Sequence, residues 1–336
     1  MKKMRKTTSI LALVSLVFLS ACENRDWSFP DYDYTSVYFS YQYPVRTLYL
    51  GNDEVFDNSL DNQHKCKIMA TMGGVYENEM DRTISFVVDN SMCDNLYFST
   101  GSKVEPMPSN YYQLASDKIV IPSGQIMGGV EVQLTNDFFA DPKSIENTYV
   151  IPLRMTDVQN ADTILSGTPK VDNPDIVVEE DWSVQPKNFI YYAVKYVNPW
   201  DAVYLRRGVD RISTGGSSTT VVRHQQYVED DEVVEFTTRS LQQAAWALNV
   251  GGTDCNILLT FNGDDCTLST DTPGCTVSGS GEYVVKGEKN SFNGKDRDVL
   301  YLDYTVDLGG TQYATQDTLV MRDRQVAGEW FTVVRQ

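Results

Sequence analysis

Histidine, the side chain that most often carries acid–base and metal chemistry near neutral pH, occurs twice, at His64 and His224. Neither sits in an HExxH pattern, and a histidine-built zinc or iron site would have to gather acidic partners from distant strands. Solvated loop histidines are the expectation. No GxSxG surrounds a serine and no GxxxxGK[ST] occurs, so nucleophile-elbow hydrolases and P-loop NTPases lack support. Carboxylates are abundant, which weakens each one as a signal. Asp230-Asp231-Glu232 and Asn262-Gly263-Asp264-Asp265 lie between strand candidates, where they are expected to solvate hairpin tips. Glycoside hydrolysis needs two carboxylates about 5–10 Å apart across a cleft, which adjacent turn residues rarely supply. The remaining ligand spacing of a calcium loop is also missing. The expectation is therefore no catalytic residue, no metal and no cofactor.

Aromatic residues in the second half are more suggestive. Trp182, Trp200, Tyr204, Trp246 and Trp330 are dispersed, and flat rings near a barrel mouth can stack on a sugar face while Asp, Asn or Arg groups fix its hydroxyls. Most such rings are core, leaving one or two to face a ligand. The densest unusual string is Asn198-Pro199-Trp200-Asp201-Ala202-Val203-Tyr204-Leu205-Arg206-Arg207-Gly208. Its arginines are expected to form internal ion pairs or stack on rings, ahead of holding an anionic or hydroxyl-rich ligand. The ligand-binding candidates are Trp200, Tyr204, Arg206, Trp182, Trp246 and Trp330.

These residues must be positioned by strands. Ile84, Phe86 and Val88, then Val130, Val132 and Leu134, then Tyr149, Ile151, Leu153 and Met155 alternate with turn clusters between them, as in an antiparallel sandwich with one wet face. Pro152 argues for an edge or a bulge in its run. Residues 166–185, with Gly167, Pro169, Pro174 and an acidic Glu179-Glu180-Asp181, are the best boundary. Further strand candidates are Phe189–Val197, then 202–206, 219–228, 233–238, 257–261, 281–286 and 330–334. The run from Leu300 to Leu308 alternates cleanly and meets Gly309-Gly310, a two-residue hairpin signal. Only residues 241–248 show apolar residues at helical spacing. The expected fold is all-β: an immunoglobulin-like sandwich over 36–165, the 166–185 linker, and over 186–336 an antiparallel, lipocalin-like barrel or a second sandwich.

The N-terminus starts with a basic Met1 to Lys6 segment, continues through an apolar run and reaches Leu19-Ser20-Ala21-Cys22. A spanning helix needs roughly 20 apolar residues, so residues 1–21 read as a signal peptide. The last four residues resemble the lipobox of bacterial lipoproteins, which implies cleavage before Cys22 and lipidation of its thiol; residues 22–35 would be a tether. Two or three acyl chains, at about 0.8 kcal/mol per buried CH₂, would hold the protein on a membrane. Loss of Lys2, Lys3, Arg5 and Lys6 with the peptide leaves 24 basic against 46 acidic residues, a net charge of −22. Such a surface repels nucleic acid and anionic headgroups. Among the remaining Cys66, Cys93, Cys255, Cys266 and Cys275, the odd count forbids complete pairing; buried or loop thiols with one bridge among the last three are expected.

The chain resembles a family of Bacteroidetes surface lipoproteins. The first half is similar to the immunoglobulin-like domain of unknown function 1735 through the runs Pro44 to Gly51, Asp81 to Asp89, Tyr111 to Leu114, Ile119 to Gly124 and Tyr149 to Leu153. The Asn198 to Gly208 string marks a companion β domain of unknown function. The resemblance implies an outer-membrane, lipid-anchored protein of the cell surface, accompanying glycan-uptake proteins and binding an oligosaccharide without transforming it. The competing readings are a structural or fimbrial-type adhesive protein and a glycosidase.

Overall fold

The computed structural model describes residue 32, residues 34–53 and residues 55–336. The signal peptide, Cys22 and most of the tether lie outside the described residues. No helix among the described residues is long and apolar enough to cross a membrane. Strands dominate, as expected, and the only α-helix among the described residues is Asn136–Ala140.

Alternating burial builds the first sandwich. Lys65–Gly73 turns Cys66, Ile68, Ala70 and Met72 inward and Lys67 and Met69 outward, and pairs with Ser36–Tyr38 on one side and Met127–Leu134 on the other. The opposing sheet runs Glu329–Trp330, Pro44–Tyr49, Phe189–Val197, Tyr149–Gln159, Arg82–Val88, Lys118–Ile121. Side chains such as Ile68, Val132, Leu48, Ile84 and Ile151 fill the space between the sheets. A smaller core, including Met92, Phe98, Tyr191 and Phe331, covers the outer face of the second sheet.

Pro152 sits in a central strand, not at an edge. Its carbonyl accepts from Asp89 N just beyond the last residue of Arg82–Val88, so the missing N–H falls where that ladder ends. The strand's bulge lies further on, between Met155 and Asp157.

Phe189–Val197 belongs to this sandwich, whereas the sequence pattern places it in the second domain. It pairs parallel to Pro44–Tyr49 and antiparallel to Tyr149–Gln159. Ile190, Tyr192 and Val194 face the main core, and Phe189, Tyr191 and Ala193 face the smaller one. A strand buried on both faces has no alternation to reveal its sheet, and its partners lie far back in the chain. The 166–185 segment is also folded: Thr168–Pro169 pairs with Trp182–Val184.

The chain enters the second domain through Asn198-Pro199-Trp200-Asp201. Ala202–Thr214, Glu232–Ser240, Gln243–Val250, Thr253–Asn262, Asp265–Thr270, Thr276–Glu288, Arg297–Leu308 and Thr311–Asp323 follow in order, and the last closes on the first. This is a closed eight-stranded antiparallel barrel, with Ser217–Arg223 added beside the far half of Ala202–Thr214. Gly309-Gly310 makes the expected turn, both residues at positive φ. Residues 243–250, in the segment read as helical, form a strand. Ala244, Trp246, Leu248 and Val250 point inward, a period of two that neighbours on both sides can use and an isolated helix cannot.

Eight strands enclose a space that side chains can fill, and here they fill it. Phe236, Trp246, Ile257, Leu259, Leu300 and Leu319 are all at most 1 % exposed. Toward one end an ionic cluster completes the interior. Asp317 accepts from Arg206 Nε at 2.9 Å, Arg223 Nη2 at 2.6 Å and the Tyr304 hydroxyl at 2.8 Å, while Arg223 also grips Asp210. Among the described residues Cys255 and Cys275 form the one bridge, and Cys66, Cys93 and Cys266 are buried thiols.

After Asp323 the chain returns to the sandwich. Glu329–Trp330 pairs with Pro44–Tyr49, Phe331 enters the smaller core, and Val333–Arg335 pairs with Leu96–Phe98. Arg335 then clamps Asp175 with two bonds of 2.7 and 2.9 Å. The two domains are thus joined at two crossings.

Asn198 at the first crossing is fully buried; its side chain accepts from Trp200 N and Asp201 N and donates to Ser240 O and Gln243 O. Replacing it with Ala strands these groups, so Asn198→Ala should lower unfolding free energy by about 2–4 kcal/mol in a denaturant titration. Where the chain ends on the sandwich, hydrogen bonding from Arg335 holds the Asp175 carboxyl below the usual carboxylate range. An acid with a lowered folded value contributes its stability above the unfolded value and loses it as pH falls through the folded one. Amide exchange at residues 333–335 should therefore accelerate below about pH 4 relative to barrel strands.

Candidate functional site

The sandwich and barrel meet along a seam that is held in place and left open beside its contact point. Arg324, the first residue after the barrel, is 6 % exposed and donates to Leu50 O at 2.5 Å, Asn198 O at 2.6 Å and Asp201 O at 3.3 Å. A Cβ on Gly51 would stand 2.6 Å from Pro199 Cβ, so glycine lets the two domains touch there. Asp61 supports the same corner, pairing with Arg46 and accepting from Tyr49 N. Burial pushes the Asp61 carboxyl up despite these partners, and the same holds for Asp201, whose carboxylate accepts from Thr238 N and Oγ1.

Beside this contact lies a cleft of about 1050 Å³. The sandwich contributes Asn52, Asp53, Val55 and Phe56; the barrel contributes Val285, Lys286, Arg297, Asp298, Met321 and Arg322, and Arg324 to Val326 complete the wall. Asp53 accepts from Val55 N and Phe56 N, which fixes the loop, and Phe56 packs edge-on to Tyr49 with Arg46 5.8 Å from its ring centre. On the barrel side, Asp298 takes the Tyr283 hydroxyl at 2.6 Å and Lys286 N at 2.8 Å. A clustering of polar groups over apolar Phe56, Val285 and Met321 at a domain boundary is the usual composition of a small-molecule site.

The backbone singles out the same place. Seven described non-glycine residues have positive φ; four are Asn and one is His64. Asn reaches the left-handed region at little cost. The other two are Lys286 at φ 52° and Gln325 at φ 49°, and both line the cleft. Lys286 lies within the bulge of Thr276–Glu288, the kind of irregularity that re-aims side chains at sites.

A second, more open concavity of about 800 Å³ lies on the barrel wall, where Thr260, Asn262, Asp265, Glu282, Tyr301 and Asp303 are exposed. It brings no groups from the sandwich.

Of the six residues singled out from sequence, Trp200, Tyr204, Arg206 and Trp246 come together inside the barrel, Trp182 and Trp330 lie apart from them, and none lines the seam cleft. Trp200 is 8 % exposed and stacks on Phe261 with ring centres 3.6 Å apart; Tyr204 is buried and donates to Trp200 O. Arg206 is buried over Trp246, 4.7 Å from its ring centre, and bound to Asp317 and Glu232. Trp182 is half-buried and donates to Asp175 O. Trp330 is 61 % exposed beside exposed Tyr41, their ring centres 5.8 Å apart, on the sandwich. Four of the six are therefore core or internal ion-pair residues.

Two other expectations need correction. Asp231 does not solvate a hairpin tip: it is 4 % exposed and bound by Arg207 and Gln225 N. His64 is half-buried against Phe139, with ring centres 4.1 Å apart, and burial lowers its pKa. Among the described residues no group of three or more His, Cys, Asp or Glu could hold a metal ion. The cleft residues were missed because Asn52, Phe56, Lys286 and Arg322 are unremarkable in their local sequence. The one available signal was the Lys286-Gly287 interruption of a strand pattern.

Residues 199–325 match the domain of unknown function 5627, and residues 32–162 match a family described as an N-terminal domain. No curated protein matches the chain. A Bacteroides ovatus protein of unknown function is 52 % identical, with a TM-score of 0.86 over 91 % of this chain and 100 % of that one. An auxiliary nutrient binding protein from Bacteroides thetaiotaomicron is 14 % identical, with a TM-score of 0.33 over 85 % of this chain and 95 % of that one. A Bacteroides ovatus protein provisionally described as carbohydrate binding is 10 % identical, with a TM-score of 0.28 over 87 % of this chain and 98 % of that one. Likeness at those last two values carries no argument about function. Half-identical over nine-tenths of its length to the first of these proteins, the chain belongs to that Bacteroides ovatus protein's family, and most of its barrel matches the domain of unknown function 5627.

Proposed function

We propose that this protein is a non-enzymatic, lipid-anchored lipoprotein of the outer-membrane surface that binds oligosaccharides at the seam cleft, in company with glycan-uptake proteins. The observation that carries the binding reading is the cleft itself, where the two left-handed backbones without an Asn or His border a concavity built from both domains. Strained backbone is retained where the surrounding structure holds it in place, and such positions cluster at ligand sites. The lining suits a sugar: Asn52, Gln325 and Arg322 offer hydroxyl partners, and Phe56 offers a ring.

The non-enzymatic part rests on how the described carboxylates are engaged. Asp53 and Asp323 each accept a backbone N–H of their own loop and Asp298 accepts Lys286 N from the neighbouring strand, which suits them to shaping the cleft. The anchoring part rests on the Leu19-Ser20-Ala21-Cys22 motif, and the first domain's kinship with domain of unknown function 1735 rests on the sequence runs given above.

Calorimetric titration of the mature chain against a glycan panel should find a binder. Phe56→Ala should weaken it at least tenfold, while Trp330→Ala, outside the cleft lining, should leave it unchanged. Absence of binding across a broad panel, hydrolysis of a panel member, or loss confined to Trp330→Ala would overturn the reading. Precursor processing that ignores globomycin would remove the lipid anchor.

A further inference from the structure

The sheets of the sandwich end in short strands: Thr163–Ile164 and Tyr112–Leu114 flank one, and Glu329–Trp330 and Lys118–Ile121 flank the other. Short edges leave few free N–H and C=O groups for another chain to pair with. Ser217–Arg223, on the barrel, breaks this pattern. It has seven residues, among the described residues it pairs only with Ala202–Thr214, and Ser217 to Val222 are all exposed. Thr219, Thr220, Val221 and Val222 favour an extended backbone, and no Pro or Lys interrupts the run.

The edge is also held in shape. Gly215 and Gly216, at φ 57° and 87°, make the tight turn that starts it. At its other end Arg223 reaches the barrel's ionic cluster, 2.6 Å from Asp210 and 2.6 Å from Asp317. Such a turn makes Thr214 and Ser217 a hydrogen-bonded pair, and the pattern alternates from there. Thr219, Val221 and Arg223 therefore bond to Ala202–Thr214, whereas Ser218, Thr220 and Val222 point their N–H and C=O groups away from it. Those groups have no other backbone partner among the described residues.

Whatever covers this edge must tolerate the charge of the chain. With 46 acidic against 28 basic residues, two copies repel each other over most of their surfaces. From Arg211 to Val228, however, no Asp or Glu occurs, and the charge of Arg223 is matched within its own chain. Two copies can meet along this strand without opposing carboxylates.

We propose that Ser217–Arg223 pairs antiparallel with the same strand of a second copy, about a two-fold axis at Thr220. This register sets Ser218 against the partner's Val222 and Thr220 against the partner's Thr220, so the outward groups of both copies coincide as hydrogen-bonded pairs. Thr219 then lies opposite the partner's Val221, a β-branched pair of the kind that stabilises sheets. One strand pair is small beside the roughly 1,200 Å² of a stable interface, so association is reversible and depends on concentration. The surface shares no residue with the seam cleft.

The test is sedimentation velocity on the mature chain over a wide range of concentration, where the mass should rise toward that of a dimer. Arg211 lies beside Thr220 on the neighbouring strand, so Thr220→Lys lines up like charges across the axis. It should weaken self-association at least tenfold, with unchanged thermal unfolding showing an intact fold. Mixing Thr220→Lys with Thr220→Glu should restore a mixed dimer, because opposite charges then face each other at the axis. A chain that stays monomeric at every concentration, a dimer indifferent to Thr220→Lys, or a loss that the mixture does not rescue would overturn the proposal.

Discussion

Arg324 donates to three carbonyl oxygens drawn from the sandwich and from the entrance to the barrel, and the placement of the two domains depends on that convergence. A guanidinium stays charged and presents its donors in a rigid plane, so one side chain can fix the ends of several segments at once. Here it fixes the end of Pro44–Tyr49, through Leu50, and the Asn198 to Asp201 turn. Gly51 against Pro199 makes the approach sterically possible, and Asn198 satisfies the turn's own polar groups. The cleft follows from these contacts: the domains meet at a corner, and the surfaces diverge beside it.

The barrel's interior shapes the functional argument in a different way. Apolar rings and the Arg206, Arg223, Asp210 and Asp317 cluster occupy the space where a wider barrel would hold a ligand. Breaking such a cluster at one partner leaves a charge buried without compensation, so it is a rigid filling. Recognition is then left to outer surfaces and to the seam, where both domains contribute groups. Strain at Lys286 and Gln325 appears in loops and bulges that the filled barrel holds from behind.

Much of the fold was legible locally. Alternation identified the sandwich strands, and Gly309-Gly310 identified a hairpin, because a half-buried strand and a tight turn each leave a short-range signature. The string from Asn198 to Gly208 stood out for a good reason, but its role is structural: Trp200 stacks on Phe261, and Arg206 is neutralised inside the barrel. Phe189–Val197 was assigned to the wrong side of the boundary because continuous burial erases the period of two. Trp246 fitted a helix as well as a strand until strands on both sides were present. Of the aromatic candidates, only Trp330 has a largely open ring, and exposure is not written in a residue's type.

By itself the sequence determined the all-β class, the acidic balance and the missing histidine, P-loop and nucleophile-elbow motifs. These depend on composition or on neighbours a few residues apart. Only the tertiary structure decided that Cys255 meets Cys275, that the chain's last residues return to the first domain, and that Phe56, Lys286, Arg297 and Arg322 border one cleft. Those outcomes arise from barrel closure and the Arg324 contact, which bring together segments hundreds of residues apart whose local patterns carry no record of one another.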